Sequence, residues 1–393
     1  MSTEEQVEQT EEKKNKKPKT LADLQKSLTK SFGKKAVILG DDIEEVPVLC
    51  SSGSYAVDAA IGIQGIPRGR ILEYYGPPSG GKTLFTLLTI IECQKSGGVA
   101  AFLDLENSFD KNWFIRLGGD CSPEKFILLK PKSGADAYQM LEDMVTSNLV
   151  DIIGVDSVST MTTDEENEGS YSDSHMAVLA RLMSNGLKKF NSIMMQHPKT
   201  TIIFINQIRS GMSKYNPEIA TGGSALAFYS SVRLNIRRIG GEDGILGPKD
   251  NPHGFRTKIR VEKNKVGPPK RIIETSVYVN HPTKIGVDKD EELLDIALSI
   301  GLIKRYSKTP DKTSFIEDLD GTYYEINNQK FYGWPKFQTY IEENAQVLQE
   351  LKPTITAFMN KRVKPEPESF AAVVEAEEKK QRKSRKEKDN VED

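Results

Sequence analysis

Ile71-Leu72-Glu73-Tyr74-Tyr75-Gly76-Pro77-Pro78-Ser79-Gly80-Gly81-Lys82-Thr83 joins a short apolar run to a glycine-rich loop, and the fold follows from how that junction is read. Gly76, Gly81, Lys82 and Thr83 satisfy the spacing G-x-x-x-x-G-K-[ST]. Leu84, Leu87, Leu88 and Ile91 recur at helical spacing until Gly97-Gly98, which predicts strand, loop and helix in that order. Such a loop aims backbone N–H groups and the positive end of a helix at a polyphosphate, with Lys82 suited to the β/γ-phosphates and Thr83 to Mg²⁺. Gly76, Pro77, Pro78, Ser79, Gly80, Gly81, Lys82 and Thr83 are therefore the candidate cradle for a nucleoside triphosphate. Pro78 has no N–H, so the donors are the amides from Ser79 to Thr83.

The 393 residues suffice for one large α/β domain with one or two smaller modules. Lys and Arg (54) nearly balance Asp and Glu (56), so a polyanionic partner must meet local basic surfaces. Cys50, Cys93 and Cys121 are odd in number and scattered, and no signal peptide or long apolar run is evident. These features point to a reducing cytosol, with no membrane partner. His175, His197, His253 and His281 lack ligand spacing and read as surface or capping histidines.

Working outward, residues 1–20 are a charged segment, glutamates then lysines, expected to be disordered. Leu21, Leu24 and Leu28 stripe a helix closed by Phe32-Gly33, and Ala36 to Leu39 reads as a strand; this 21–50 module must dock elsewhere to bury its faces. The core, 51–285, alternates strands and helices, which argues for a mostly parallel sheet covered on both sides. Strands Val99 to Leu105, Val150 to Val155 and Thr201 to Ile205 carry Glu106, Asp156 and Gln207 to the edge where the loop lies. Asp156 suits the second acid that holds Mg²⁺ in phosphate-loop enzymes. A helix from about Ser174 to Gln196 should bury Leu179, Leu182, Met183, Leu187, Phe190, Ile193 and Met194, with Gly186 among them, leaving Arg181, Ser184, Asn185, Lys188 and Ser192 outward. Thr162 to Asp173 and Ser210 to Gly223 are too polar and glycine-rich to pack, as functional loops often are. Thr257, Ile259 and Val261 alternate with charged residues on a half-exposed strand ending in Lys263-Asn264-Lys265. Residues 286–360 read as a small α+β domain with a hairpin turn at Asp320-Gly321 and helical material from Phe337 to Met359 interrupted at Pro353; 361–393 is a charged tail.

Gly76 to Thr83, Phe102 to Asp110, Val155-Asp156-Ser157, Phe204 to Arg209, Thr221 to Leu226, Ser231 to Leu234 and Lys263 to Lys265 stand in the order found in bacterial RecA recombinases. The chain resembles that family from about Leu21 into the C-terminal domain. The resemblance implies a RecA-type phosphate-loop ATPase core, an N-terminal polymerisation arm, ATP and Mg²⁺ as cofactors, and filaments on single-stranded DNA that pair with homologous duplex and exchange strands. It implies Glu106 as the general base, Gln207 as sensor of the γ-phosphate, and Lys263 and Lys265 as groups reaching a neighbouring subunit's nucleotide. Lys82 acts on phosphate, Thr83 and Asp156 on Mg²⁺, the acid through water, and Asp110 and Trp113 contact adenine. Arg181, Ser184, Lys188, Arg209, Thr221, Gly222, Gly223 and Ser224 fall on its DNA-contacting positions. Single-strand-binding and loader proteins would be partners, and the cytoplasm of a bacterium or of a virus-infected host the location. The sequence departs from the family at Lys214-Tyr215, in the middle of the phosphate loop, and in a tail that is charge-balanced rather than acidic. A recombination mediator that does not exchange strands, or a helicase on the same core, is the alternative.

Overall fold

The computed structural model describes residues 20–34, 36–162, 176–213, 216–309, 314–318 and 321–360. The expected disorder of both ends, nearly all of the Thr162 to Asp173 segment, Lys214-Tyr215 and Asp320 lie outside these residues. Residues up to Pro47 form one compact unit, and Val48 onward another.

In the first unit, α1 (Leu21–Phe32) starts where the Thr20 hydroxyl accepts from the Asp23 amide at 3.2 Å and stops at Gly33, φ +85°. Leu21, Leu24, Leu28 and Phe32 along it are exposed. The strand expected at Ala36 to Leu39 does not form; described residues there run as turn and coil into a 3₁₀ turn at Gly40–Asp42. No described strand in this unit offers a ladder to pair with, and an unpaired strand gains nothing over coil.

In the second unit, β1 (Val48–Cys50) pairs with β2 (Ile66–Pro67) around α2 (Tyr55–Ile61). The alternation then follows as expected. β3 (Ile71–Gly76) feeds α3 (Lys82–Lys95), β4 (Ala100–Asp104) feeds α4 (Lys111–Arg116), and β5 (Phe126–Leu129) feeds α5 (Gly134–Ser147). β6 (Ile152–Asp156), α6 (Met176–Gln196) and β7 (Thr201–Ser213) follow, β8 (Asn216–Ala220) turns back antiparallel on β7, and α7 (Ala225–Tyr229) and β9 (Val232–Arg238) complete the parallel part. Strands β5, β4, β6, β7, β3 and β9 lie side by side in that order, all parallel. β10 (Ile245–Leu246), β11 (Gly254–Asn264), β12 (Ile272–Tyr278) and β13 (Gly286–Val287) extend the sheet antiparallel beyond β9. Helices cover both faces, so the parallel strands read as unbroken apolar runs. One core packs Tyr74, Phe85, Ile90, Phe102 and Phe114; the other packs Leu141, Val155, Met183, Leu187, Phe190 and Phe204. Each such side chain, fully buried, is worth about 2 kcal/mol of transfer free energy.

Residues 210–223 were expected to be a loop, but β7 continues to Ser213 and pairs back with β8, Ile208 opposite Ala220 and Ser213 opposite Asn216. Backbone pairing there needs no apolar alternation. After β13 come α8 (Lys289–Ser299), β14 (Lys304–Lys308), β15 (Phe315–Glu317), β16 (Tyr323–Ile326), β17 (Gln329–Tyr332), α9 (Trp334–Glu343) and α10 (Ala345–Asn360), around a third core. β15 and β16 flank β14 on opposite sides, so the expected hairpin at Asp320-Gly321 would join two strands that do not pair; Asn327-Asn328 turns a hairpin between β16 and β17 instead. Pro353 sits inside α10 rather than interrupting it, because buried Leu348 and Ile355 anchor the helix on both sides.

Candidate functional site

The phosphate loop leaves β3 at its C-terminal edge. Gly76 cannot be replaced by a residue with a Cβ, since that atom would lie 2.1 Å from the Ile236 carbonyl oxygen of β9. Gly81 takes φ +103° at the start of α3, a conformation that L side chains resist. Among the described residues, the amides of Gly80, Gly81, Lys82 and Thr83 have no hydrogen-bond acceptor. Those of Gly81, Lys82 and Thr83 are the orphan donors of a helix N-terminus, a setting that favours an anion. Buried Lys82 lays its Nζ on the carbonyl oxygens of Pro77 (2.7 Å) and Gly76 (3.2 Å). Burial pulls its pKa below the usual lysine value, with Asp156 and Glu106 opposing.

Asp156 ends β6, next to β4 and β7, and its Oδ2 accepts from the Thr83 hydroxyl at 2.7 Å. Burial pushes this carboxyl up to about 6; the Thr83 hydrogen bond and Lys82 oppose, while Glu106 and Asp104 add to the rise. A buried carboxylate beside a hydroxyl and an ammonium is an oxygen donor set that fits a hydrated Mg²⁺ on a triphosphate. Among the described residues no cluster of three or more His, Cys, Asp or Glu could hold a metal unaided.

Glu106 lies two residues past β4, and its amide and that of Leu105 donate to the Asp156 carbonyl oxygen (3.2 and 2.7 Å). Its Oε1 accepts from Ser157 Oγ at 2.6 Å and from Gln207 Nε2 at 2.8 Å. The three strand-end residues expected at one edge, Glu106, Asp156 and Gln207, are thus brought together. Gln207 is also tied to the following turn, since its carbonyl oxygen accepts from the Thr221 amide (3.1 Å) and hydroxyl (3.2 Å). Its neighbour Asn206 donates through Nδ2 to the Thr221 carbonyl oxygen and to Glu73 Oε1, both at 3.0 Å.

Sequence reasoning singled out Ser157 only as the neighbour of Asp156, and missed Asp104. Buried Asp104 accepts from the amides of Ser108 (2.9 Å) and Phe109 (3.1 Å), shaping the loop that carries Glu106. The available signal was an acid at the very end of a buried strand. Asp110 caps α4, accepting from the amides of Asn112 (2.7 Å) and Trp113 (3.0 Å), and half-buried Trp113 packs on the core with Arg116 5.4 Å from its ring centre.

Lys263 and Lys265 are not at this edge. Asn264 pairs with Val232, and Val232 with Leu72, so the lysines sit at the amino edge of the parallel strands, about 13 Å from the loop at four residues of β3. Lys263 Nζ donates to the carbonyl oxygens of Ala227 (2.7 Å) and Phe228 (2.8 Å), and burial, with Lys265 and Arg233 nearby, lowers its pKa. Lys265 lines a cleft of about 670 Å³ together with Ser184, Asn191, Gly223, Ser224 and Phe228. Arg181, Ser184, Asn185, Lys188 and Ser192 stand exposed on α6 while Leu179, Met183, Leu187, Phe190 and Met194 are buried; Leu182, Gly186 and Ile193, expected in the same face, are half-buried at its edges. Thr221, Gly222 and Gly223 lie between β8 and α7, Gly223 against Ala180 of α6. Arg209 falls on β7, where only the backbone is described.

The RecA N-terminal domain family matches residues 19–283. Protein RecA of Wolbachia pipientis subsp. Culex pipiens is 36% identical over 350 residues, 88% of this chain and 91% of that protein. Protein RecA of Chloroherpeton thalassium is 43% identical over 304 residues, 76% of this chain and 81% of that protein. A solved RadB recombinase chain covers 58% of this chain and 96% of its own, at a TM-score of 0.43 and 19% identity, too loose a likeness to bear on function.

Proposed function

The chain belongs to the RecA family, and from that premise we propose how its nucleotide site and DNA surface work. It is a DNA-dependent ATPase and recombinase that binds DNA and assembles into filaments. The reading of the site is carried by one observation: Glu106, Asp156 and Gln207 reach the same edge as the loop amides, with Glu106 hydrogen-bonded to Gln207.

The amides of Gly80 to Thr83 and the Lys82 ammonium hold the phosphates of ATP, and Thr83 with Asp156 would hold Mg²⁺, which would supply positive charge against the phosphates. Glu106 orients the attacking water and takes its proton. Gln207 turns between Glu106 and the γ-phosphate and, through its carbonyl oxygen on Thr221, passes that change to the turn before Gly222. Asp110 and Trp113 flank adenine. Lys263 and Lys265, remote from their own loop, serve the nucleotide of an adjoining subunit. The exposed face of α6, Arg181, Ser184 and Lys188, with Arg209, Thr221, Gly222, Gly223 and Ser224, contacts DNA through phosphates, so binding tolerates any sequence. Single-strand-binding and loader proteins are the partners we assign, and the cytoplasm the compartment. Among the described residues no helix is long and apolar enough to cross a membrane.

Glu106→Gln tests the site. ATP-dependent binding to single-stranded DNA is expected to persist while turnover falls about a hundredfold or more. Loss of nucleotide binding instead would show that the carboxylate is structural. ATP hydrolysis by the wild-type chain that ignores single-stranded DNA would sink the coupling proposed through Gln207.

A further inference from the structure

We infer that Ser157 is a positioning residue that aims the carboxylate of Glu106, an inference that rests on Glu106 being the base. Ser157 is wholly buried just past β6, and its hydroxyl is 2.6 Å from Glu106 Oε1. A hydroxyl has one hydrogen to give. Donated to Glu106, it leaves the Ser157 oxygen to accept from Ser159 Oγ, also at 2.6 Å. The backbone around Ser157 is fixed in turn, because the Thr160 hydroxyl bonds both the Ser157 carbonyl oxygen (2.9 Å) and its amide (3.4 Å). The donor is therefore held from two sides and has little freedom to point elsewhere.

The second donor to the same oxygen, Gln207 Nε2, is on β7, the strand beside β6. Two donors from adjacent strands converge on Oε1, and among the described residues Oε2 has no partner. Oε2 is thus the oxygen that meets water. The two donors differ in permanence. Gln207 must leave Glu106 to meet a γ-phosphate, whereas Ser157 stays beside Glu106 on a backbone held by Thr160, so Ser157 is the donor that keeps Oε2 aimed during turnover. Carboxylate aim matters because proton transfer demands near-contact geometry, and a misplacement of about 1 Å costs on the order of a hundredfold.

The test is steady-state ATP hydrolysis by the full-length chain with saturating single-stranded DNA. Ser157→Ala is expected to lower kcat about tenfold or more while the KM for ATP moves less than about twofold, and Ser157→Thr, which restores a hydroxyl, is expected to recover most of the loss. A serine needed only for folding would shift KM and kcat together and would not be rescued by threonine. Should Ser157→Ala lose ATP binding altogether, Ser157→Cys decides: its weaker donor of similar size should give reduced kcat at unchanged KM, and wild-type kcat would overturn the inference. Glu106→Gln run alongside separates the two failures. If that variant still turns over, the base assignment falls and this inference with it; if it is dead while Ser157→Ala turns over normally, only the role of Ser157 is lost.

Discussion

Arg233 shows how much a single residue can carry. Its guanidinium pairs with the carboxylate of Glu73, which is wholly buried on β3, and lies 4.5 Å from the ring centre of Tyr75. Asn206 completes the set through Nδ2, leaving its own Oδ1 buried without a partner. Removing one member of a buried ion pair strands the other charge in a low-dielectric interior, at a cost of about 3–5 kcal/mol. Arg233→Ala is accordingly expected to reduce unfolding free energy by about 3 kcal/mol or more, measured by urea denaturation; a change below 1 kcal/mol would mean that water reaches Glu73. At this scale the sequence was legible where a residue's chemistry fixes its position. Lys82, Thr83, Glu106 and Asp156 follow from a motif and from strand ends. Ser157, Asp104, Asn206 and Arg233 act through partners 4 to 160 positions away, and no spacing rule joins a serine to a glutamate across two strands.

Elements were legible in proportion to the periodicity they carry. α6 alternates buried and exposed residues at 3.6 per turn, and its apolar set faces the core as the spacing requires, with Leu182 and Ile193, at the margins of the stripe, only half-buried. β8 and the distal half of β7 had no such signal, because Ser210, Ser213 and Asn216, which take part in the backbone pairing, carry no apolar alternation. The residues at 36–39 failed in the opposite sense, showing β-type side chains without a strand to pair with. The polar face of α6 gives the prediction at this scale. Lys188 is exposed, so no described packing depends on it. Lys188→Ala is expected to weaken binding to single-stranded DNA and to reduce the slope of log affinity against log salt by about 0.7, the value for one lost phosphate contact. An unchanged slope in a salt titration would return that face to solvent.

At the scale of the molecule, the contacts that join the C-terminal part to the sheet domain include a buried carboxylate. Glu292, in the first turn of α8, is 3% exposed. Its Oε1 accepts from the hydroxyls of Ser54 (2.6 Å) and Thr275 (2.7 Å), and its Oε2 from the Tyr55 amide (2.8 Å) at the start of α2. The sequence could not show this link, since 237 positions separate Glu292 from Tyr55 and the helix reads as an ordinary apolar stripe. Burial pushes the carboxyl up to about 7, against the opposing pull of those donors. A raised folded pKa means that the folded chain binds the proton more tightly than the unfolded chain. The stability from this group is therefore complete below its ordinary value of 4.5 and is lost as pH rises through about 7. Each pH unit inside that window changes stability by at most about 1.4 kcal/mol. Glu292→Gln removes the titration, so the stability of the wild-type chain relative to this variant should fall by about 2 kcal/mol between pH 5.5 and 8. Urea unfolding followed by the fluorescence of Trp334, in a Trp113→Phe background, reads that difference in the C-terminal part itself. A difference that stays flat across the range would mean that Glu292 is ionised throughout, and that its donors from Ser54, Thr275 and Tyr55, with the Ala56 amide at 3.5 Å, outweigh burial.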